Sequence, residues 1–176
     1  MNHADHVSLL RGGIPASGGM WADLGSGWGA FTLALADLIG PDGVIYSVDK
    51  DAHALSEQKV ELTRRFPGVT VHYLTRDFAQ PLSLPLLDGI VMANALHFVA
   101  RSRQEDAVRQ IKGYLRPGGR LIIVEYDVDD GNIWAPHPLS HATWERLARR
   151  AGFSHTQYLG SVPSHFLRAI YSAVSW

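Results

Sequence analysis

Three glycines within seven residues, Asp23-Leu24-Gly25-Ser26-Gly27-Trp28-Gly29, constrain this chain more than any other feature. An apolar stretch, Gly19-Met20-Trp21-Ala22, precedes them and can form a buried strand. The residues after them, 30–38, repeat apolar side chains at helical spacing. The glycines therefore fall on a strand-to-helix turn, where absent side chains let backbone approach a ligand closely. The helix that follows aims its unpaired N–H groups at that ligand. This is the layout of a nucleotide-type cofactor site, and a tight turn without a ligand is the plainer alternative.

Short strand-like runs alternate with longer helical ones along the rest of the chain, the mark of an α/β domain with a mainly parallel sheet. Strands are expected over 43–48, 69–74, 89–93 and 120–126, and helices over 52–66, 103–115 and 140–151. Ser140 is the expected N-cap of the last helix. Two final strands, about 154–159 and 165–174, are joined through Gly160-Ser161-Val162-Pro163-Ser164. That link is too short for a crossover helix, so the pair should be an antiparallel hairpin. At 176 residues the chain has the size of one domain, 1–176, with 1–18 as a short N-terminal extension.

Composition removes several function classes. There is no cysteine, which excludes disulfides, thiolate metal sites and cysteine nucleophiles and suits a cytoplasmic protein. A net charge of −1 gives no electrostatic case for nucleic acid or an anionic membrane as partner. No apolar run is long enough to span a bilayer, and the first residues lack a signal-peptide layout.

The identity of the cofactor needs more than the glycines. Gly25-x-Gly27-x-x-Ala30 also satisfies the dinucleotide fingerprint, with Asp49 where a ribose-binding acid would fall. Three observations oppose a nicotinamide cofactor. Asp23 would set an extra negative charge against a pyrophosphate, whereas an ammonium or sulfonium would gain from it. Thr75-Arg76-Asp77-Phe78 supplies a second carboxylate for an exocyclic amine beside an aromatic face for a purine. The closing hairpin is foreign to the two-halved dinucleotide fold.

Together these residues resemble the class I S-adenosylmethionine-dependent methyltransferase family over nearly the whole chain. The resemblance implies a Rossmann-like seven-stranded, mostly parallel sheet with a C-terminal antiparallel hairpin and helices on both faces. It implies that Asp23, Gly25, Ser26, Gly27 and Gly29 form the glycine motif, the acid contacting the methionine part of S-adenosyl-L-methionine. Asp49, with Lys50 beside it, matches the acid that takes the two ribose hydroxyls. Asp77 matches the acid that reads the adenine amine, with Arg76 and Phe78 flanking the ring. Residues 87–97 and 115–121 look like the fourth-strand motif and the turn before strand five.

A sulfonium already activates the methyl group, so positioning of the acceptor can carry about 7–11 kcal/mol of the barrier. His97, just past the fourth strand, is the base candidate, although a histidine packed under the substrate loop is the weightier reading. Asn94 lines the methyl-transfer pocket through its backbone carbonyl or amide and joins the cofactor set. Asn94-Ala95-Leu96-His97 departs from the Asn/Asp-Pro-Pro-aromatic motif of amino-methylating nucleic-acid enzymes, which argues against adenine-amine or glutamine-amide acceptors.

Glu125, Asp127, Asp129 and Asp130 with His137 and His141 invite a metal reading. Solvated loop charges are the preferred one, and no metal is expected. Arg101, Arg103, Arg109, Lys112 and Arg116 along one helix, and Arg146, Arg149 and Arg150 along another, read as solvated faces rather than an RNA surface. Only residues 4–11 can fold over the acceptor, which leaves an open pocket or one completed by a second copy in a homodimer. The expectation is therefore methyl transfer to a small-molecule acceptor. The alternatives are an RNA or protein methyltransferase of the same fold and a non-catalytic S-adenosylmethionine-binding module; an NAD-linked oxidoreductase trails both.

Overall fold

The structure, a computed structural model, describes residues 1–164 and 166–176. His165, the expected start of the last strand, lies outside the described residues. Helix α1 (His3–Arg11) is followed by β1 (Gly19–Leu24), α2 (Ala30–Ile39), β2 (Gly43–Asp49), α3 (Ala52–Arg65), β3 (Thr70–Thr75) and β4 (Leu87–Ala93). A 3-10 turn (Leu96–Phe98), α4 (Arg101–Lys112), β5 (Leu115–Tyr126), α5 (His141–Arg150), β6 (Thr156–Pro163) and β7 (Ala169–Ser175) complete the order. The seven strands form one sheet in the order β3-β2-β1-β4-β5-β7-β6. Pairing is parallel from β3 to β5 and antiparallel where β7 meets β5 and β6, which is the expected fold.

Both faces of the sheet are covered, which is why β4 and β5 read as near-continuous apolar runs rather than alternating ones. One core cluster joins Val108 and Ile111 of α4 and Trp144 and Leu147 of α5 to Ile90, Met92, Leu121 and Ile123. The other joins Leu9 and Leu10 of α1, Phe31 and Leu35 of α2 and Leu62 of α3 to Trp21, Ile45, Val91 and Ile122. The strand order brings the C-terminal ends of β1, β2, β3 and β4 to one edge, where the chain places its glycines, acids and His97.

Four details differ from the sequence reading. Helix α1, the segment ahead of β1 that could cover a pocket, packs on α2 instead and buries Val7, Leu9 and Leu10 in the same face of the sheet. A capping box between Asn2 and Asp5 starts it, and His3 meets Asp37 of α2 at 3.1 Å. Its amphipathic pattern seeks an apolar surface, and α2 offers the nearest one.

Second, α4 ends at Lys112, and 115–120 belong to β5. The early start of β4 gives Leu115 a partner in Leu87, and a register shift absorbs the Pro117-Gly118-Gly119 turn. Arg116 therefore leaves the helical basic row and pairs with Asp88. Third, residues 160–163 continue β6 instead of forming the hairpin turn, because Leu159 and Val162 pack on the core beneath. Fourth, Glu125 is not a solvated loop charge but a fully buried residue of β5.

Candidate functional site

The glycine turn is fastened to β2. The amides of Gly25 and Ser26 both donate to the Val48 carbonyl, at 2.8 and 3.1 Å, extending the β1–β2 ladder past its end. The Gly27 amide donates to Asp49 Oδ2 at 2.7 Å, and Asp49 Oδ1 accepts from the Asp51 amide at 2.9 Å. Asp49 thus closes the turn while staying half-buried at the edge. Gly29 has φ +84 and serves as the N-cap of α2. A Cβ there would overlap the Gln58 side chain, so both conformation and space require glycine.

Gln58 is a site residue that the sequence reading missed. It is buried on α3, accepts from Ser47 Oγ at 2.6 Å, and donates to the Gly27 carbonyl at 3.1 Å and Ser26 Oγ at 3.3 Å. Its signal was present: a glutamine in register with Ala54, Leu55 and Leu62 on the apolar stripe of an amphipathic helix. A polar group in that position needs buried partners.

Asp23 is buried near the end of β1, where the turn begins. It is 1% exposed and accepts from Thr32 Oγ1 of α2 at 2.6 Å. Burial pushes its carboxyl up to about 7, the Thr32 hydrogen bond opposing and the Asp49 charge adding to the rise.

The remaining strand ends meet around this turn. The Arg76 amide donates to the Asp49 carbonyl at 2.9 Å, setting the end of β3 beside that of β2. Asp77 is exposed, with Oδ1 accepting from the Ala79 amide at 2.9 Å, while the Arg76 side chain turns back to the Thr75 carbonyl. Lys50 is exposed. Phe78 and Ala95 both press on Gly25, where an added Cβ would collide with them.

Asn94, at the end of β4, sits at φ +50, and its amide donates to the Val124 carbonyl at 2.8 Å. The amide is therefore not available to line a pocket, which corrects half of the expectation. Its Oδ1 is buried with no partner among the described residues.

His97 and Glu125 form a buried pair, 2% and 0% exposed. His97 Nδ1 lies 2.7 Å from Glu125 Oε1, and the His97 amide donates to Glu125 Oε2 at 3.2 Å. The Tyr126 amide donates to Oε1 as well, at 2.9 Å. A carboxylate receiving two backbone N–H groups acts as an acceptor toward the imidazole too, so Nδ1 carries a hydrogen and, in the neutral ring, the lone pair falls on Nε2. Nε2 makes no hydrogen bond to the described residues. The rings of Phe98 and Tyr126 flank His97 at 4.3 and 5.7 Å. The packed histidine and the base candidate are thus one residue, packed through Nδ1 and free at Nε2.

The segment between β5 and α5 is tied to this pair. The His137 amide donates to the His97 carbonyl at 3.0 Å, and Arg101 reaches the carbonyls of Asp129 and Pro138. Asp127 and Asp129 accept from the first residues of α5. Among the described residues no group of three or more His, Asp or Glu side chains is placed to hold a metal. Ile133 and Trp134 at the tip of this segment, and Phe98 below it, are exposed.

Comparison with known proteins gives the same direction. Residues 22–119 match the family model described as a methyltransferase domain. The chain is 28% identical over 119 residues to the ubiquinone/menaquinone biosynthesis C-methyltransferase UbiE of Pseudomonas aeruginosa, covering 66% of this chain and 45% of that protein. The chain therefore spans about half the length of the curated relatives it matches. A putative O-methyltransferase from Nostoc punctiforme superposes with a TM-score of 0.77 at 20% identity, over 98% of this chain and 56% of the other. Human N-acetylserotonin methyltransferase, in complex with SAM, gives 0.70 at 20% identity, over 97% and 51%. At these identities the structural likeness speaks for the fold.

Proposed function

As a member of the class I S-adenosylmethionine-dependent methyltransferase family, whose domain model covers more than half of it, the chain supports a definite reading: we propose that it transfers a methyl group from S-adenosylmethionine to a hydroxyl-bearing small molecule. The observation that carries the hydroxyl is the buried Glu125–His97 pair, whose Nε2 has no partner among the described residues, two positions past the Ala95 that packs on Gly25. An amine or thiolate acceptor needs no base, whereas a hydroxyl loses a proton and gains from one. In this reading the domain is the whole of 1–176, with 1–18 as its lead-in, and acts in the cytoplasm. The lack of cysteine supports that location, and no described helix is long and apolar enough to cross a membrane.

The residues present fit the donor. Open space where Gly27 lacks a side chain gives room for close approach, and the unpartnered Asn94 Oδ1 is an acceptor suited to an ammonium. Asp49 and Asp77 stand at adjacent strand ends as acceptors for ribose hydroxyls and an exocyclic amine, with Lys50, Arg76 and Phe78 at the rim. Bound there, S-adenosylmethionine supplies a sulfonium-activated methyl group. The chain's own residues orient the acceptor against Phe98 and Tyr126 and receive its proton at His97 Nε2, while Glu125 keeps the ring in the required tautomer.

Calorimetric titration with S-adenosylmethionine, S-adenosylhomocysteine and NAD tests the donor. The first two should bind and lose affinity in Asp49→Ala, and tight NAD binding without them would overturn the reading. Labelled-methyl transfer to a panel of phenols, amines and thiols tests the acceptor: phenols should lead, and His97→Ala should abolish that lead. A second reading, an acceptor carried on a larger molecule, draws support from the exposed Phe98, Ile133 and Trp134 and from α1 packing with α2. Transfer to a macromolecular fraction but to no small molecule would favour it.

A further inference from the structure

Gln58 is a buried polar side chain that the catalytic reading does not use. Gln58 stands on α3 with both ends of its amide committed: Oε1 accepts from Ser47 Oγ at 2.6 Å, and Nε2 donates to the Gly27 carbonyl at 3.1 Å. Ser26 Oγ, 3.3 Å from Nε2, also meets Ser47 Oγ at 2.8 Å, so the glutamine is locked between the turn and β2. On the other side of the same residue, the Gly27 amide donates to Asp49 Oδ2. Gly27 is therefore held at both its N–H and its C=O.

That hold has a geometric consequence for the next peptide. There are no cis peptide bonds among the described residues, and in a planar trans unit the C=O and N–H point in opposite directions. With the Gly27 carbonyl drawn down to Gln58, the Trp28 N–H of that same peptide unit points away from α3. It finds no acceptor among the described residues. It lies in the turn that opens α2, where Gly27 itself leaves open space. A fixed, unpaired amide at the positive end of a helix favours an anionic group.

We propose that Gln58 is a positioning residue: by holding the Gly27 carbonyl it aims the Trp28 amide at the carboxylate of the donor's methionine moiety. The proposal rests on the S-adenosylmethionine reading, and that carboxylate is the only anionic group such a donor offers. Gln58 touches no ligand itself. Asp49 acts on the ribose side, so the two hold different parts of the same molecule through one glycine.

Two nucleosides separate this role from a merely structural one. S-Adenosylhomocysteine carries the carboxylate, and 5′-methylthioadenosine lacks the whole amino-acid tail. In Gln58→Met, calorimetry should show S-adenosylhomocysteine weakened about tenfold, the scale of a lost hydrogen bond to a charged group. Affinity for 5′-methylthioadenosine should stay within about twofold of the parent on the same scale. Equal weakening of both ligands, or no weakening of either, would overturn the proposal. Should Gln58→Met fail to fold, Ser47→Ala frees the other end of the glutamine and must show the same preference between the two ligands, to a smaller degree. If the parent protein binds neither nucleoside, the donor reading itself falls, and the positioning role with it.

Discussion

Replacing Asp23 with asparagine should make the protein more stable at alkaline pH, by an amount that the burial of this carboxyl sets. Its folded-state value of about 7 stands against an ordinary 3.8, and each unit corresponds to about 1.4 kcal/mol. A carboxyl raised on folding contributes stability that is fully present below 3.8 and is lost as pH climbs through 7. Above that window the folded state carries a buried anion, at a cost of about 4 kcal/mol, with the Thr32 hydroxyl as its one hydrogen-bond donor among the described residues. The asparagine side chain would keep an oxygen for that hydroxyl and carry no charge. The variant's advantage should be about 4 kcal/mol at pH 8, roughly 1.5 kcal/mol at pH 5, and fade to nil below pH 4.

At about 2–4 °C per kcal/mol for a chain of this size, the melting temperature at pH 8 should rise by roughly 8–16 °C. Thermal unfolding of both proteins across pH 4–8 reads this directly. A gap that stays flat with pH, or a variant less stable at pH 8, would refute the reasoning.

Three further outcomes follow from the geometry. Glu125→Gln should lower turnover about a hundredfold by removing the negative charge that would steady a protonated His97 and leaving one acceptor oxygen where the carboxylate offers two, with S-adenosylhomocysteine affinity unchanged; a parallel loss of affinity would mean that Glu125 only holds the fold. Gly29→Ala should cost about 2–4 kcal/mol from its positive φ and the clash with Gln58, and an unaltered urea midpoint would contradict this. Arg101→Ala should speed amide exchange across 129–138 with little change in global stability, since Arg101 ties that segment through two carbonyls; unchanged exchange rates would show that the tie is not needed.

The alternation of short apolar runs with helical stripes was enough to place all seven strands, because each signal is local: periodicity, a cap, or a turn residue. The glycine run and the acids at 49 and 77 were legible for the same reason, since each closes a strand that the sequence delimits. Boundaries were less so. The Pro117-Gly118-Gly119 turn reads as a stop between helix and strand, yet β4 offered a partner on both sides of it and the strand ran through. Arg116 changed element as a result, and the basic row shortened.

By itself the sequence determined the order of elements, the strand-to-helix glycine turn and the acids at the strand ends, all of which depend on neighbours a few residues away. Tertiary structure alone decided how the polar groups pair. Glu125 meets His97 because β5 lies beside β4, Gln58 reaches Gly27 because α3 crosses behind the turn, and Asp23 is buried because α2 covers it. A one-dimensional pattern marks a polar residue within an apolar stretch, but the partner that compensates its burial is chosen by the sheet order. That is why His97 could be read from sequence as either packed or reactive, and only the fold showed that Nδ1 is held by Glu125 while Nε2 has no hydrogen-bond partner among the described residues.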